Sequence, residues 1–186
     1  MERCSWCLGD PLYISYHDND WGVPVHDDRL LFEMLCLEGA QAGLNWFTIL
    51  KKRENYKKAF DDFDVNKIIN YTDKDVERLK NDKGIVRNRL KIQAVIKNAR
   101  GVIQILEDYE SFDEYIWSFV DGETIQNAWP SLKEVPANTD ISDRMSKDLK
   151  KRGFSFVGST ICYAYMQSIG MVNDHIVDCF RYEELK

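Results

Sequence analysis

Apolar residues recur at steps of three and four along most of this chain and in no segment alternate over five or more residues, so helices must build its core. Helix-starting and helix-stopping residues stand at the ends of these stripes. Asp27 or Asp28 can cap a helix carrying Leu31, Met34 and Leu35, which the small residues between Gly39 and Gly43 break or bend. Asn45 can cap a second helix carrying Trp46, Ile49, Leu50 and Phe60. Thr72 with Asp75 resembles a capping box before Val76 and Leu79, and Asn88 opens a long helix through Ile92, Val95, Ile96, Ala99 and Leu106. Ser111 with Glu114 forms a capping box for Tyr115 to Phe119, and Ser142 can cap Met145 to Leu149. A last stripe of Val157, Ile161, Ala164 and Ser168 is ended by Gly170. The expected fold is an all-α compact globule of roughly seven to nine helices. At roughly 150 residues per domain, a chain of 186 with only four prolines reads as a single domain over 1–186, with its one long loop from Asp121 to Asp140.

Composition narrows the function classes. With 44% apolar and 30% charged residues the chain is not disordered, and a net charge of −6 argues against a globally basic nucleic-acid coat while leaving room for local patches. No apolar run reaches the ~18 residues of a membrane span, and the N-terminus lacks the charged-then-apolar pattern of a signal peptide. A cytosolic or nuclear location with no membrane partner is expected, where five cysteines read as thiols or metal ligands rather than disulfides.

Metal-type ligands sit at both ends: Cys4 and His17 near the start, His175 and Cys179 near the finish. The second pair is spaced i, i+4, one face of a helical turn, and two thiolates with two imidazoles are a usual donor set for tetrahedral zinc. Cys7 makes a C-x-x-C with Cys4 and could compete, but His17 completes a set of four with Cys4. Glu38 falls at steps of four and three from Leu31 and Leu35, so its carboxylate projects from the apolar face, a costly position unless something pairs with it. Aromatic residues gather nearby: Trp6, Tyr13, Tyr16 and Trp21 in the first segment and Trp46 past the glycine break. Trp21 reads as core, while Tyr16 and Trp46 read as pocket walls. Aromatic faces beside a carboxylate suit a flat cationic ligand.

Charge is uneven. Arg78 to Lys97 holds seven basic residues against Asp82, a local +6, and Arg144 to Arg152 holds five against Asp148, or +4. The first run surrounds Lys83-Gly84-Ile85-Val86, a glycine turn between two helices that can aim backbone N–H groups at a phosphate, with Lys83 and Arg87 adding salt-dependent attraction.

Strings spread over the whole chain, among them Asp10-Pro11-Leu12-Tyr13, Tyr16-His17-Asp18-Asn19, Trp21-Gly22-Val23-Pro24, Leu37-Glu38-Gly39, Gln41-Ala42-Gly43-Leu44, Lys150-Lys151-Arg152-Gly153-Phe154 and Asn173-Asp174-His175, resemble the bacterial 3-methyladenine DNA glycosylase I family. The resemblance runs from Met1 to about Cys179. It implies a helix-hairpin-helix glycosylase fold with the hairpin near residues 76–100, excision of 3-methyladenine from double-stranded alkylated DNA without lyase activity, and a monomer working at the bacterial nucleoid in the cytoplasm. It also implies one structural zinc on Cys4, His17, His175 and Cys179. Glu38, Tyr16 and Trp46 are then expected to line the base pocket, with Tyr13 and Trp6 as neighbours. Glu38 is assigned the central role in catalysis, Leu44 the wedge in the vacated base stack, and Lys83, Gly84 and Arg87 the DNA backbone. The hairpin reads Lys-Gly-Ile-Val where the wider superfamily has Pro-Gly-Val-Gly, and the superfamily's catalytic aspartate has no counterpart that can be placed. The competing expectation is a zinc-stapled helical DNA-binding module without catalysis, and a third is a thiol or metal sensor built on Cys4 and Cys7.

Overall fold

A computed structural model describes residues 2–186. Eleven α-helices are present among them: α1 (Pro11–Asn19), α2 (Asp28–Gln41), α3 (Trp46–Leu50), α4 (Arg53–Ala59), α5 (Val65–Ile68), α6 (Asp73–Lys80), α7 (Arg89–Ile105), α8 (Phe112–Trp117), α9 (Asp140–Lys151), α10 (Ser159–Ser168) and α11 (Phe180–Glu184). Three short 3-10 turns join them, together with a parallel bridge of β1 (Ile125–Gln126) and β2 (Val172–Asn173), in which Ile125 faces Val172. None of the helices is long and apolar enough to cross a membrane.

The helix count exceeds the expectation because several helices span only four to seven residues, too few to show a stripe. The stretch opened by Asn45 is two helices, since the chain turns at Lys51 and Lys52 and Phe60 lies just past the second. The cap before Met145 is Thr139, and Ser142 is its capping-box partner rather than the cap itself. Ser111 caps the Glu114 N–H at 2.9 Å, but the Glu114 carboxylate reaches back to the Glu110 N–H. The β1–β2 bridge departs from an all-α reading, and two residues per strand are too short to leave a period in the sequence.

Asp27 accepts from the Leu30 N–H at 2.8 Å and starts α2, whose residues Leu31 to Ala40 are all buried. A helix enclosed on all sides is the axis of the fold. Around it pack α3, α7, α8 and α10, with α9 outside α10. On α7, Gly101 makes room for the Phe154 ring, since a Cβ there would lie 2.3 Å from it. At the far end of α2 the Lys91 ammonium donates to the carbonyls of Ala40 (2.8 Å) and Ala42 (2.6 Å), capping α2 from the first turn of α7. Gly43 then turns the chain with φ of +76°, a conformation open to glycine, and leaves Leu44 41% exposed.

Candidate functional site

The C-terminal half of α2 forms one wall of a cavity of about 420 Å³. Glu38 and Gln41 come from α2, Trp46 from α3, Tyr13 and Tyr16 from α1, Ala164 and Gln167 from α10, and Trp6, Leu132, Val135 and Asp174 from connecting segments. The Tyr16 and Trp46 rings are 5.5 Å apart, Trp6 lies 4.9 Å from Tyr13, and Tyr13 is stacked on Phe47 at 4.9 Å. Trp21, expected in the core, packs against it and also lines the cavity, because its ring turns edge-on to Trp6 (5.1 Å) and His175 (4.6 Å). Nothing in the local pattern marks Leu132, Val135 or Gln167 as pocket residues, since they arrive from distant segments.

Burial leaves three polar groups of this cavity poorly compensated. Glu38 is 4% exposed, and burial pushes its carboxyl up to about 8 against a smaller downward pull from the Ser168 hydroxyl. The Tyr16 hydroxyl and the Trp46 indole N–H are buried and have no hydrogen-bond partner. Asp174, in contrast, accepts from Asn127, Trp129, Tyr163 and Gln167 at 2.6–2.8 Å, so its lone pairs are taken up in holding the wall. An aromatic cavity with unpartnered donors and a buried carboxyl can hold a flat, polar, positively charged molecule.

Behind the aromatic wall the two ends of the chain meet. Cys4, His17, His175 and Cys179 are buried, with one donor atom from each within 4.8 Å of the others. Cys179 Sγ lies 3.4 Å from His17 Nε2 and 3.5 Å from His175 Nδ1, and Cys4 Sγ lies 3.7 Å from His175 Nδ1. A tetrahedral zinc with ordinary bond lengths sets sulfur and nitrogen about 3.6 Å apart. His175 Nε2 faces the Trp21 carbonyl at 3.1 Å, and a carbonyl only accepts, so Nε2 bears the proton and Nδ1 offers its lone pair. His17 Nδ1 is likewise engaged by Asp18 at 2.8 Å, and Asp18 is held by Arg3. Burial pushes the Cys4 thiol up to about 12, against a smaller downward pull from the Ile176 backbone N–H, and His175 down to about 4. The cluster can hold a metal ion, and its donor set fits zinc. His175 and Cys179 converge through a turn rather than the expected helical turn, because Cys179 is the N-cap residue of α11. Cys7 is buried outside the cluster, donating to the Cys4 carbonyl at 3.1 Å.

Between α6 and α7, Lys83 and Arg87 are exposed. The Gly84 and Val86 N–H groups, expected to face a phosphate, are used inside the protein: Gly84 donates to Asp82 at 2.7 Å and Val86 to the Tyr56 hydroxyl at 3.2 Å. Asp82 and Tyr56 thus rigidify the turn, and the free positive charge is carried by side chains.

A family model described as methyladenine glycosylase matches residues 6–182. DNA-3-methyladenine glycosylase 1 of Escherichia coli K12 is 55% identical over 182 residues, 98% of this chain and 97% of that protein. A crystal structure of a 3-methyladenine DNA glycosylase I superposes with a TM-score of 0.94 at 55% identity, covering 96% of this chain and 98% of the other. The Y16F variant of a 3-methyladenine DNA glycosylase I in complex with 3-methyladenine has a TM-score of 0.93 at 36% identity, with 97% of each chain covered. A match over nearly the whole chain, in sequence and in backbone alike, shows that the protein belongs to the methyladenine glycosylase family.

Proposed function

We propose that the protein hydrolyses the N-glycosidic bond of 3-methyladenine in alkylated double-stranded DNA, initiating base-excision repair. The observation that carries this reading is the buried carboxyl of Glu38, with no cation beside it, in a cavity where the Tyr16 hydroxyl and the Trp46 N–H lack partners. The methylated base on DNA is a cation and departs neutral, so the enzyme needs recognition more than leaving-group protonation. Flipped from the duplex, the base lies against the Tyr16 and Trp46 wall, with Tyr13 and Trp6 beside it, and its amino edge donates to Glu38. Negative charge on Glu38 favours the cationic bound form, and water attacks the sugar carbon as the base departs. Among the described residues no lysine lines the cavity, in keeping with hydrolysis without a lyase step. Leu44, exposed on its glycine turn, would fill the gap in the stack. The α6–turn–α7 segment serves as the helix-hairpin-helix, with zinc on Cys4, His17, His175 and Cys179 as a structural staple. The reading is of a single-domain monomer acting on the chromosome.

Incubation with a methylated duplex is expected to release free 3-methyladenine and leave an unbroken abasic strand. Binding without release of base would instead make the chain a zinc-stapled binding module. Neutralising Lys83 and Arg87 together is expected to weaken binding to any duplex and lower the log–log salt slope by about one to two. An unchanged slope would remove this turn from the DNA interface.

A further inference from the structure

A cleft of about 470 Å³ between α8 and α9 plays no part in the base pocket, the metal cluster or the α6–α7 turn. Its walls include Tyr109, Phe119, Arg144, Lys147, Asp148 and Lys151. Arg144, Lys147 and Lys151 follow one another at steps of three and four on α9 and so share a helix face. Among the described residues none of the three has a carboxylate within ion-pair distance, whereas the acid and the arginine beside them are satisfied. Asp148 accepts from the Tyr115 hydroxyl and from Arg152, both at 2.8 Å. Arg152 also pairs with Asp108 at 3.3 Å and lies over the Tyr109 and Tyr115 rings. Three uncompensated cations beside half-buried aromatic rings stand out in a chain of net charge −6.

Two observations define what fits there. The cationic row is about 10 Å long at the helical rise per residue, and it is fenced by acids: Asp140 and Asp143 before it on α9, Glu107 and Asp108 beyond Lys151. A continuous polyanion would run from the lysines into those carboxylates, but a short anion would not. The cleft also lies at the end of α7 remote from the α6–α7 turn. Lys91 in the first turn of α7 clasps Ala40 and Ala42, while Tyr109 follows the last turn, and 17 residues of helix separate these ends by about 25 Å. We infer that the α8–α9 cleft docks a short acidic segment of a partner protein, its carboxylates on Arg144, Lys147 and Lys151 and an adjoining apolar side chain against Phe119 and Tyr109. This docking uses no residue of the base pocket, so it leaves excision independent of the partner.

The test is fluorescence anisotropy with a labelled peptide carrying three aspartates followed by leucine and phenylalanine. The full-length protein is expected to bind it in a salt-sensitive manner, and Lys147→Ala with Lys151→Ala to weaken binding about tenfold or more. Both lysines are exposed, so the double variant is expected to fold and to keep its duplex affinity and base release. A control peptide with serines in place of the aspartates is expected not to bind, and Lys83→Ala with Arg87→Ala to leave peptide binding intact. The inference is overturned if wild type does not bind the acidic peptide, if the Lys147/Lys151 variant binds it equally well, or if that variant loses duplex affinity, which would assign the cleft to DNA.

Discussion

Replacing Glu38 with glutamine is expected to cost about 1.5–3 kcal/mol of affinity for free 3-methyladenine, the scale of a hydrogen bond to a charged group. The shape of the side chain is preserved, but one acceptor oxygen becomes a donor facing the amino edge of the base, and the charge that selects a cation is gone. Calorimetric titration of the base into both proteins measures the difference, and base release from methylated DNA is expected to fall with it. Equal affinities would make Glu38 a structural carboxylate. The loss cannot be ascribed to misfolding, because stability is expected to move the other way. Burial raises the Glu38 carboxyl in the folded protein to about 8 from an ordinary 4.5. Both folded and unfolded chains carry it neutral below pH 4.5, so no penalty is felt there. As pH rises from 4.5 towards 8 the unfolded chain ionises first, stability falls, and above 8 the full penalty is present. Glutamine has no such penalty, so Glu38→Gln is expected to be at least as stable as wild type at pH 8–9 in thermal unfolding.

The purified protein is expected to contain about one zinc per chain, and Cys179→Ser to lower stability by about 2–5 kcal/mol, the scale of losing a native cross-link between distant residues. For a chain of this size that is a fall in Tm of roughly 5–20 °C. The four ligands join a segment beginning at Cys4 to one ending at Cys179, and the Phe180 N–H bonds to the Glu2 carbonyl at 3.0 Å beside them. Without a cation, buried thiols and imidazoles are left in a site where burial disfavours their charged forms. Because the cluster lies behind Trp6 and Trp21 rather than inside the cavity, base release measured well below Tm is expected to persist in Cys179→Ser. Elemental analysis and thermal unfolding with and without chelator check this. A metal-free protein of full stability, or one that needs Cys7 and tolerates loss of Cys4, would remove the assignment.

Local chemistry was legible in the sequence wherever it depends on near neighbours. Asp27, Asn45, Asn88 and Ser111 cap helices where their spacing from the following stripe indicates, since a cap bonds an N–H two or three residues away, and Thr72 opens α6 with its own N–H held by the Asp75 carboxylate. The position of Glu38 on the inward side of its helix follows from the same periodicity, and the donor types at the two termini carry their preference for a soft cation in the side chains themselves. The sequence could not show that Asp82 and Tyr56 occupy the N–H groups of the α6–α7 turn, or that Lys91 caps α2 from another helix. Nor could it bring Gln167 and Asp174 into one cavity with Glu38, or set the α8–α9 cleft at the end of α7 away from the α6–α7 turn. Helical period and capping bonds act within a few residues and are written in order along the chain, whereas burial of Glu38, the meeting of Cys4 with Cys179 and the isolation of the α8–α9 cleft arise from contacts between distant segments, which only the packing of α2 among its neighbours decides.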